Sequence, residues 1–263
     1  QRVSYWGILA LLRCVMSSPA AAAASLSRRI GPDEPQPAPQ PRSPQPAPSP
    51  LMETPPASPS DEESPEQLDA ESAPYIHDAV DENATDAQPS RILSELESQL
   101  PDSDRTRLRR LRSLAEKLTG SDDDSKLLRC TELVAQLLSE GRHPIIWCRY
   151  IDTSGYVAEQ LRNRLSRRFP GLRVLSITGA LAEDERRELI DSIDPVKDRP
   201  RVLVATDCLS EGINLQRLFD AVLHYDLPWN PNRLDQREGR VDRYGQPSRE
   251  VKAILFFGSD NPI

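Results

Sequence analysis

The sequence predicts an α/β fold built on a parallel sheet covered on both faces by helices. Five short apolar runs of strand length recur through its second half: Ile145–Tyr150, Arg173–Ile177, Arg201–Ala205, Ala221–Tyr225 and Val251–Phe257. Amphipathic stretches of helical period separate several of them. The runs are continuously apolar rather than alternating, the pattern of strands buried on both faces, and helices between such strands supply that cover.

In chain order, residues 4–16 read as the end of a helix, and Pro19–Arg29 as a second, alanine-rich one. Ser18 suits its N-cap, Pro19 its first helical position and the two closing arginines its C-terminus. A signal peptide is disfavoured because Arg13 interrupts the apolar run after Trp6, which is also too short to span a bilayer. Thirteen of the twenty-five prolines lie between Pro32 and Pro65, and ten acidic residues with no lysine or arginine lie between Asp61 and Ser90. Residues 31–89 therefore read as a disordered linker, part polyproline II and part self-repelling coil. Setting the acidic span from Asp61 to Ser90 aside leaves the rest of the chain close to neutral, so the net charge of −8 says little about partners.

Residues 90–124 predict a helical hairpin, with Ile92, Leu93, Leu96 and Leu100 before Pro101, and Leu108, Leu111, Leu114, Ala115 and Leu118 after it. Gly120 closes it, and a further helix over 125–140 ends at Gly141. Beyond the first strand, Thr153–Arg168 predicts a helix capped by Asp152 or Thr153, and Glu183–Ile193 another. The four cysteines are scattered and none pairs as Cys-x-x-Cys, which fits reduced thiols in a cytoplasmic protein and implies no metal site. His77, His143 and His224 are equally isolated, so structural roles are expected.

Ligands of a parallel sheet bind beyond the carboxyl ends of its strands. There the third strand runs into Thr206-Asp207 and on through Gly212 to Asn214, and the fourth into Asp226-Leu227-Pro228-Trp229-Asn230-Pro231. The second segment delivers the chain to Gln236–Gln246, where Arg237, Arg240 and Arg243 recur every three residues and are expected on one helical face. Planar guanidiniums suit phosphate oxygens, and a triphosphate would answer such a cluster. A solvated basic helix paired with Asp235, Glu238 and Asp242 is the alternative.

These segments resemble known motifs. Ala205-Thr206-Asp207 with Ser210–Gln216 is similar to motif V of superfamily 2 helicases, and Gln236-x-x-Gly239-Arg240-x-x-Arg243-x-Gly245-Gln246 to motif VI. The closing Gly-Gln and the Asp226–Pro231 bridge resemble the Swi/Snf-type branch, and more narrowly the bacterial helicase-related ATPases akin to the RNA-polymerase-associated recycling factor. Ile145–Tyr150 is similar to motif IV, and Thr178-Gly179 with Glu185-Arg186 to the block after it. The resemblance implies a RecA-like sheet flanked by helices, the second motor lobe of a P-loop NTPase-type machine, over residues 125–263 and preceded by the disordered linker. Residues 1–30 are similar to the helical segment that joins two such lobes.

By this resemblance Arg240 and Arg243 are arginine fingers that stabilise charge on the γ-phosphate of ATP. Gly212, Asn214 and Gln236 bind the nucleotide, while Thr206, Arg149 and Gly179 contact a nucleic-acid backbone. Such contacts carry little sequence information. The track it implies is duplex DNA, and the cofactors are ATP and a Mg2+ ion.

One departure bears on activity. The chain contains no Gly-x-x-x-x-Gly-Lys-Ser/Thr loop and no Asp-Glu-x-His box. Those belong to the first RecA-like lobe, which would hold the Mg2+ and is expected upstream of Gln1, so the sequence is expected to be a fragment that does not hydrolyse ATP alone. A non-catalytic interaction module from a split helicase gene is the alternative reading. A dinucleotide enzyme is disfavoured because no Gly-x-Gly-x-x-Gly follows any strand.

Overall fold

The computed structural model describes residues 5–30, 102–209, 213 and 215–258. The expected linker, the first half of the expected hairpin, and Gly212 and Asn214 lie outside the described residues.

Seven helices and five strands are described: α1 (Tyr5–Ser17), α2 (Pro19–Ile30), α3 (Asp102–Leu118), α4 (Ser125–Ser139), β1 (Pro144–Trp147), α5 (Ile151–Leu165), β2 (Arg173–Ile177), α6 (Glu183–Asp191), β3 (Arg201–Ala205), β4 (Ala221–His224), α7 (Asn232–Glu238) and β5 (Lys252–Leu255). The strands form one parallel sheet in the order β2-β3-β1-β4-β5, and β1 is central. Ile145 stands level with Leu203 on one side and Val222 on the other.

Because side chains alternate across a strand, the continuous apolar runs feed two cores. Ile146, Val174, Val202, Val204 and Leu223 meet Leu127, Cys130 and Val134 of α4, and Val157 and Leu161 of α5, on one face. Ile145, Trp147, Ile177, Leu203 and Val222 meet Ile190 of α6, Phe219 and Val241 on the other. Burying each large aliphatic side chain contributes roughly 1.5–3 kcal/mol, so the central strand ties both layers together. The two-sided parallel sheet is the fold that the sequence predicts.

Local signals explain some of the helix ends. Ser18 Oγ accepts from the Ala21 amide at 3.1 Å, capping α2 as expected. Gly141 closes α4 at φ +78°, a conformation that L side chains rarely adopt. The expected cap of α5 is corrected: the helix starts at Ile151, and Tyr150 in the cap position makes no side-chain cap bond. Thr153 is drawn away because its hydroxyl lies 2.7 Å from Ser17 Oγ and 2.9 Å from Ser18 Oγ, while Asp152 faces Arg28 at 3.6 Å. The first strand is also shorter than its apolar run, because Arg149 turns its amide to the Asp226 carboxylate at 2.9 Å. Among the described residues no helix is long and apolar enough to cross a membrane.

Candidate functional site

Parallel strands deliver their carboxyl ends to one edge, where β1 runs into Cys148–Tyr150, β2 into Thr178-Gly179, β3 into Thr206–Cys208 and β4 into Tyr225-Asp226. Backbone bonds keep the ends level: the Thr206 amide donates to Ile177 O at 3.2 Å and the Tyr225 amide to Trp147 O at 3.0 Å.

Two largely buried carboxylates, Asp207 and Asp226, organise this edge. Asp207, at the tip of β3, accepts from Arg237 Nε at 2.7 Å and Nη2 at 2.8 Å, with Arg233 Nη1 3.7 Å away. The paired N–H groups match the carboxylate fork. Arg237 is 2% exposed, donates a further bond to Asp226 O at 2.9 Å, and lies 5.7 Å from the Trp147 ring centroid. Burial alone would raise the Asp207 pKa, but the charges of Arg237, Arg149 and Arg233 override it and hold the carboxyl below its usual range.

Asp226, at the end of β4, accepts from Lys126 Nζ at 2.9 Å, Ser17 Oγ at 2.8 Å and the Arg149 amide at 2.9 Å. Burial again opposes ionisation, and Lys126 with the two hydrogen-bond donors keeps the group below its usual range. Lys126 Nζ also lies 4.1 Å over the Tyr225 ring and 2.8 Å from Ser17 O.

The expected stack of three arginines on one helical face does not form. Helix α7 has seven residues and stops at Glu238, where the Gly239 amide donates to Asp235 O at 2.7 Å. Arg237 turns into the protein because Asp207, Asp226 and Trp147 satisfy it there. Past Gly239 the chain makes a turn in which Val241 is buried in the core, Arg240 is half-buried, and Arg243 and Tyr244 are exposed. The Gln246 side chain secures its far end by donating to Phe219 O at 3.0 Å and Val241 O at 2.9 Å.

The other expected site residues are spread over the same edge. Gln236 is exposed on α7 and Gly179 is exposed beyond β2. Thr206 is fully buried, with Oγ1 3.4 Å from Cys208 Sγ, and Arg149 is 6% exposed and faces the Asp207 cluster. Sequence reasoning did not single out Asp207, Asp226, Lys126 or Trp147 as one assembly. Its one available signal was a charged residue directly after an apolar strand, which many ordinary loops share.

His224 adds a neutral link. Its Nε2 lies 3.1 Å from Glu238 Oε1, and its pKa falls to about 4 because the ring is buried and Arg237 repels a second charge, with Asp207 opposing. At neutral pH the ring donates to Glu238 as a neutral imidazole, as the expected structural role requires. Among the described residues no group of three or more His, Cys, Asp and Glu side chains is placed to hold a metal ion.

Residues 125–245 match the model of the helicase conserved C-terminal domain. An uncharacterized ATP-dependent helicase, YqhH, of Bacillus subtilis (strain 168) is 30% identical over 133 residues, covering 51% of this chain and 22% of its own length. The RNA polymerase-associated protein RapA of Yersinia pestis (strain Pestoides F) is 30% identical over 122 residues, covering 46% and 12%. This chain thus spans less than a quarter of the length of either relative. Among solved structures, the Sulfolobus solfataricus SWI2/SNF2 ATPase core in complex with dsDNA aligns at a TM-score of 0.41 and 20% identity, covering 61% of this chain and 34% of that one. The C-terminal part of the Fun30 ATPase domain aligns at 0.46 and 21%, covering 66% and 55%. Residues 125–245 of this chain are thus similar to the helicase conserved C-terminal domain, and they lie on a parallel sheet flanked by helices.

Proposed function

We propose that this chain is the C-terminal motor lobe of an ATP-dependent helicase or DNA translocase. The observation that carries this reading is the match of residues 125–245 to the helicase conserved C-terminal domain, with Arg240 half-buried and Arg243 exposed in the turn after α7. Two arginines of that kind would act as fingers, lowering the cost of charge on the γ-phosphate of ATP in the transition state. Gln236, Gly212 and Asn214 would bind the nucleotide, and Arg149, Thr206 and Gly179 the nucleic-acid backbone.

The partner for catalysis is a first RecA-like lobe carrying the phosphate loop. That lobe would hold the Mg2+ that shields the phosphates, while the donors in this chain approach from the opposite side of the nucleotide. Closure of the two lobes, coupled to hydrolysis, would step the pair along duplex DNA in the cytoplasm.

The test is DNA-stimulated ATP hydrolysis by a protein that joins this chain to its phosphate-loop lobe. Arg240→Ala and Arg243→Ala are each expected to lower turnover by about a thousandfold or more, the scale of arginine-finger removal. Turnover at the unsubstituted level in both variants would contradict the finger assignment and leave a non-catalytic interaction module as the better reading.

A further inference from the structure

We propose that the corner between α1 and α2 is a positioning element of the arginine turn: Ser17, acting through Asp226 and Arg237, helps to fix where residues 239–246 stand. The chain of contacts is continuous. Ser17 Oγ donates to Asp226 Oδ2 at 2.8 Å, Asp226 O accepts from Arg237 Nη1 at 2.9 Å, and Arg237 closes on Asp207 at 2.7 and 2.8 Å. Arg237 is the penultimate residue of α7, two positions before the turn begins at Gly239.

Lys126 makes the corner and the carboxylate one unit. Its Nζ donates to Ser17 O at 2.8 Å and to Asp226 Oδ1 at 2.9 Å, so one ammonium both caps the last turn of α1 and neutralises Asp226. Ser17 is 3% exposed and the Asp226 side chain 11%. In so dry a setting each hydrogen bond is hard to replace, and displacing the corner leaves a buried carboxylate short of a donor. Asp226 then loses the restraint that aims its carbonyl at Arg237.

Other anchors of the turn come from nearer in the chain: His224 on Glu238, Val241 in the core, Gln246 on Phe219 O and the Ser248 amide on Gln246 Oε1. Ser17 reaches this network from 209 residues away in the chain, so the docking of α1 is an input through which a distant segment reaches the turn. The coupling is a property of this chain without nucleotide. Its consequence for hydrolysis rests on the finger reading above.

The test is hydrogen–deuterium exchange on the whole chain, comparing peptides over α1, over 239–246 and over β2 as a reference strand. Ser17→Ala is expected to speed exchange in both α1 and 239–246 by about threefold or more while β2 is unchanged. Faster exchange in α1 with 239–246 at the unsubstituted rate would overturn the proposal. Should Ser17→Ala also speed β2, Asp226→Asn, which keeps the shape and removes the charge, is read by the same ratio of 239–246 to β2; a ratio at the unsubstituted value overturns the proposal and a raised one supports it. If Arg240→Ala leaves ATP turnover intact, the finger reading fails while this coupling stands or falls on exchange alone.

Discussion

Arg237 grips Asp207 through two parallel hydrogen bonds, Nε to Oδ1 at 2.7 Å and Nη2 to Oδ2 at 2.8 Å, at a site where the arginine is 2% exposed. An arginine expected on one face with Arg240 and Arg243 is instead turned into the protein as a brace. Its removal would strand a buried carboxylate, which typically costs about 3–5 kcal/mol. Urea unfolding of Arg237→Ala should show a loss of that order. Arg237→Lys, which keeps the charge but not the fork, should lose less and still fall below the unsubstituted protein.

Lys126 holds the second buried carboxylate. Lys126→Met keeps most of the stem against Tyr225 but leaves Asp226 without its cation, and a loss of about 3–5 kcal/mol is expected. Adding Asp226→Asn to that variant should recover part of the loss, because the stranded charge is gone. A double variant no more stable than Lys126→Met in a denaturant titration would contradict this account of Asp226.

The two described histidines set an acid limit. His143 and His224 both have pKa values lowered to about 4, in each case chiefly by burial, against an ordinary value of 6.5. The unfolded chain takes up protons at both sites as pH falls below about 6.5, whereas the folded chain resists until about 4. Stability should therefore be flat above about pH 7 and decline as pH drops from 6.5 towards 4. Glu238, with its carboxyl raised by burial and by Asp235 and Asp242, offsets a little of this near the lower end. Urea midpoints between pH 7.5 and 4.5 measure the slope, and His143→Gln with His224→Gln should flatten it.

Gly141 sits at φ +78° with open space around its missing side chain. Gly141→Ala should cost about 1 kcal/mol from backbone strain alone, with no clash to add. Thermal unfolding should show a small drop in Tm, with the sheet unchanged.

The strands and most helices were legible because their signals are local. Continuous runs such as Arg201–Ala205 need cover on both faces, and Ser18 or Gly141 carries its cap chemistry in its own residue type. The candidate site residues come from the resemblance to known motifs. What the sequence did not disclose are choices between partners far apart in the chain: Arg237 with Asp207, thirty residues away, and Ser17 with Asp226, 209 residues away. A three-residue arginine repeat predicts one face only while the helix lasts, and α7 ends at Glu238 before the second repeat. Thr153 likewise has the right chemistry for a cap, but two serines of the α1–α2 corner claim its hydroxyl.

The central claim is that Arg240 and Arg243 act on the reacting phosphate while Arg237 acts as structure. The most direct measurement is the separation of kcat from KM for ATP in Arg240→Ala, made in the protein joined to its phosphate-loop lobe with duplex DNA present. A finger that works in the transition state predicts kcat lower by about a thousandfold with KM within a few-fold of the unsubstituted value. A raised KM with kcat unchanged would mean that Arg240 only helps to hold ATP, and would contradict the account.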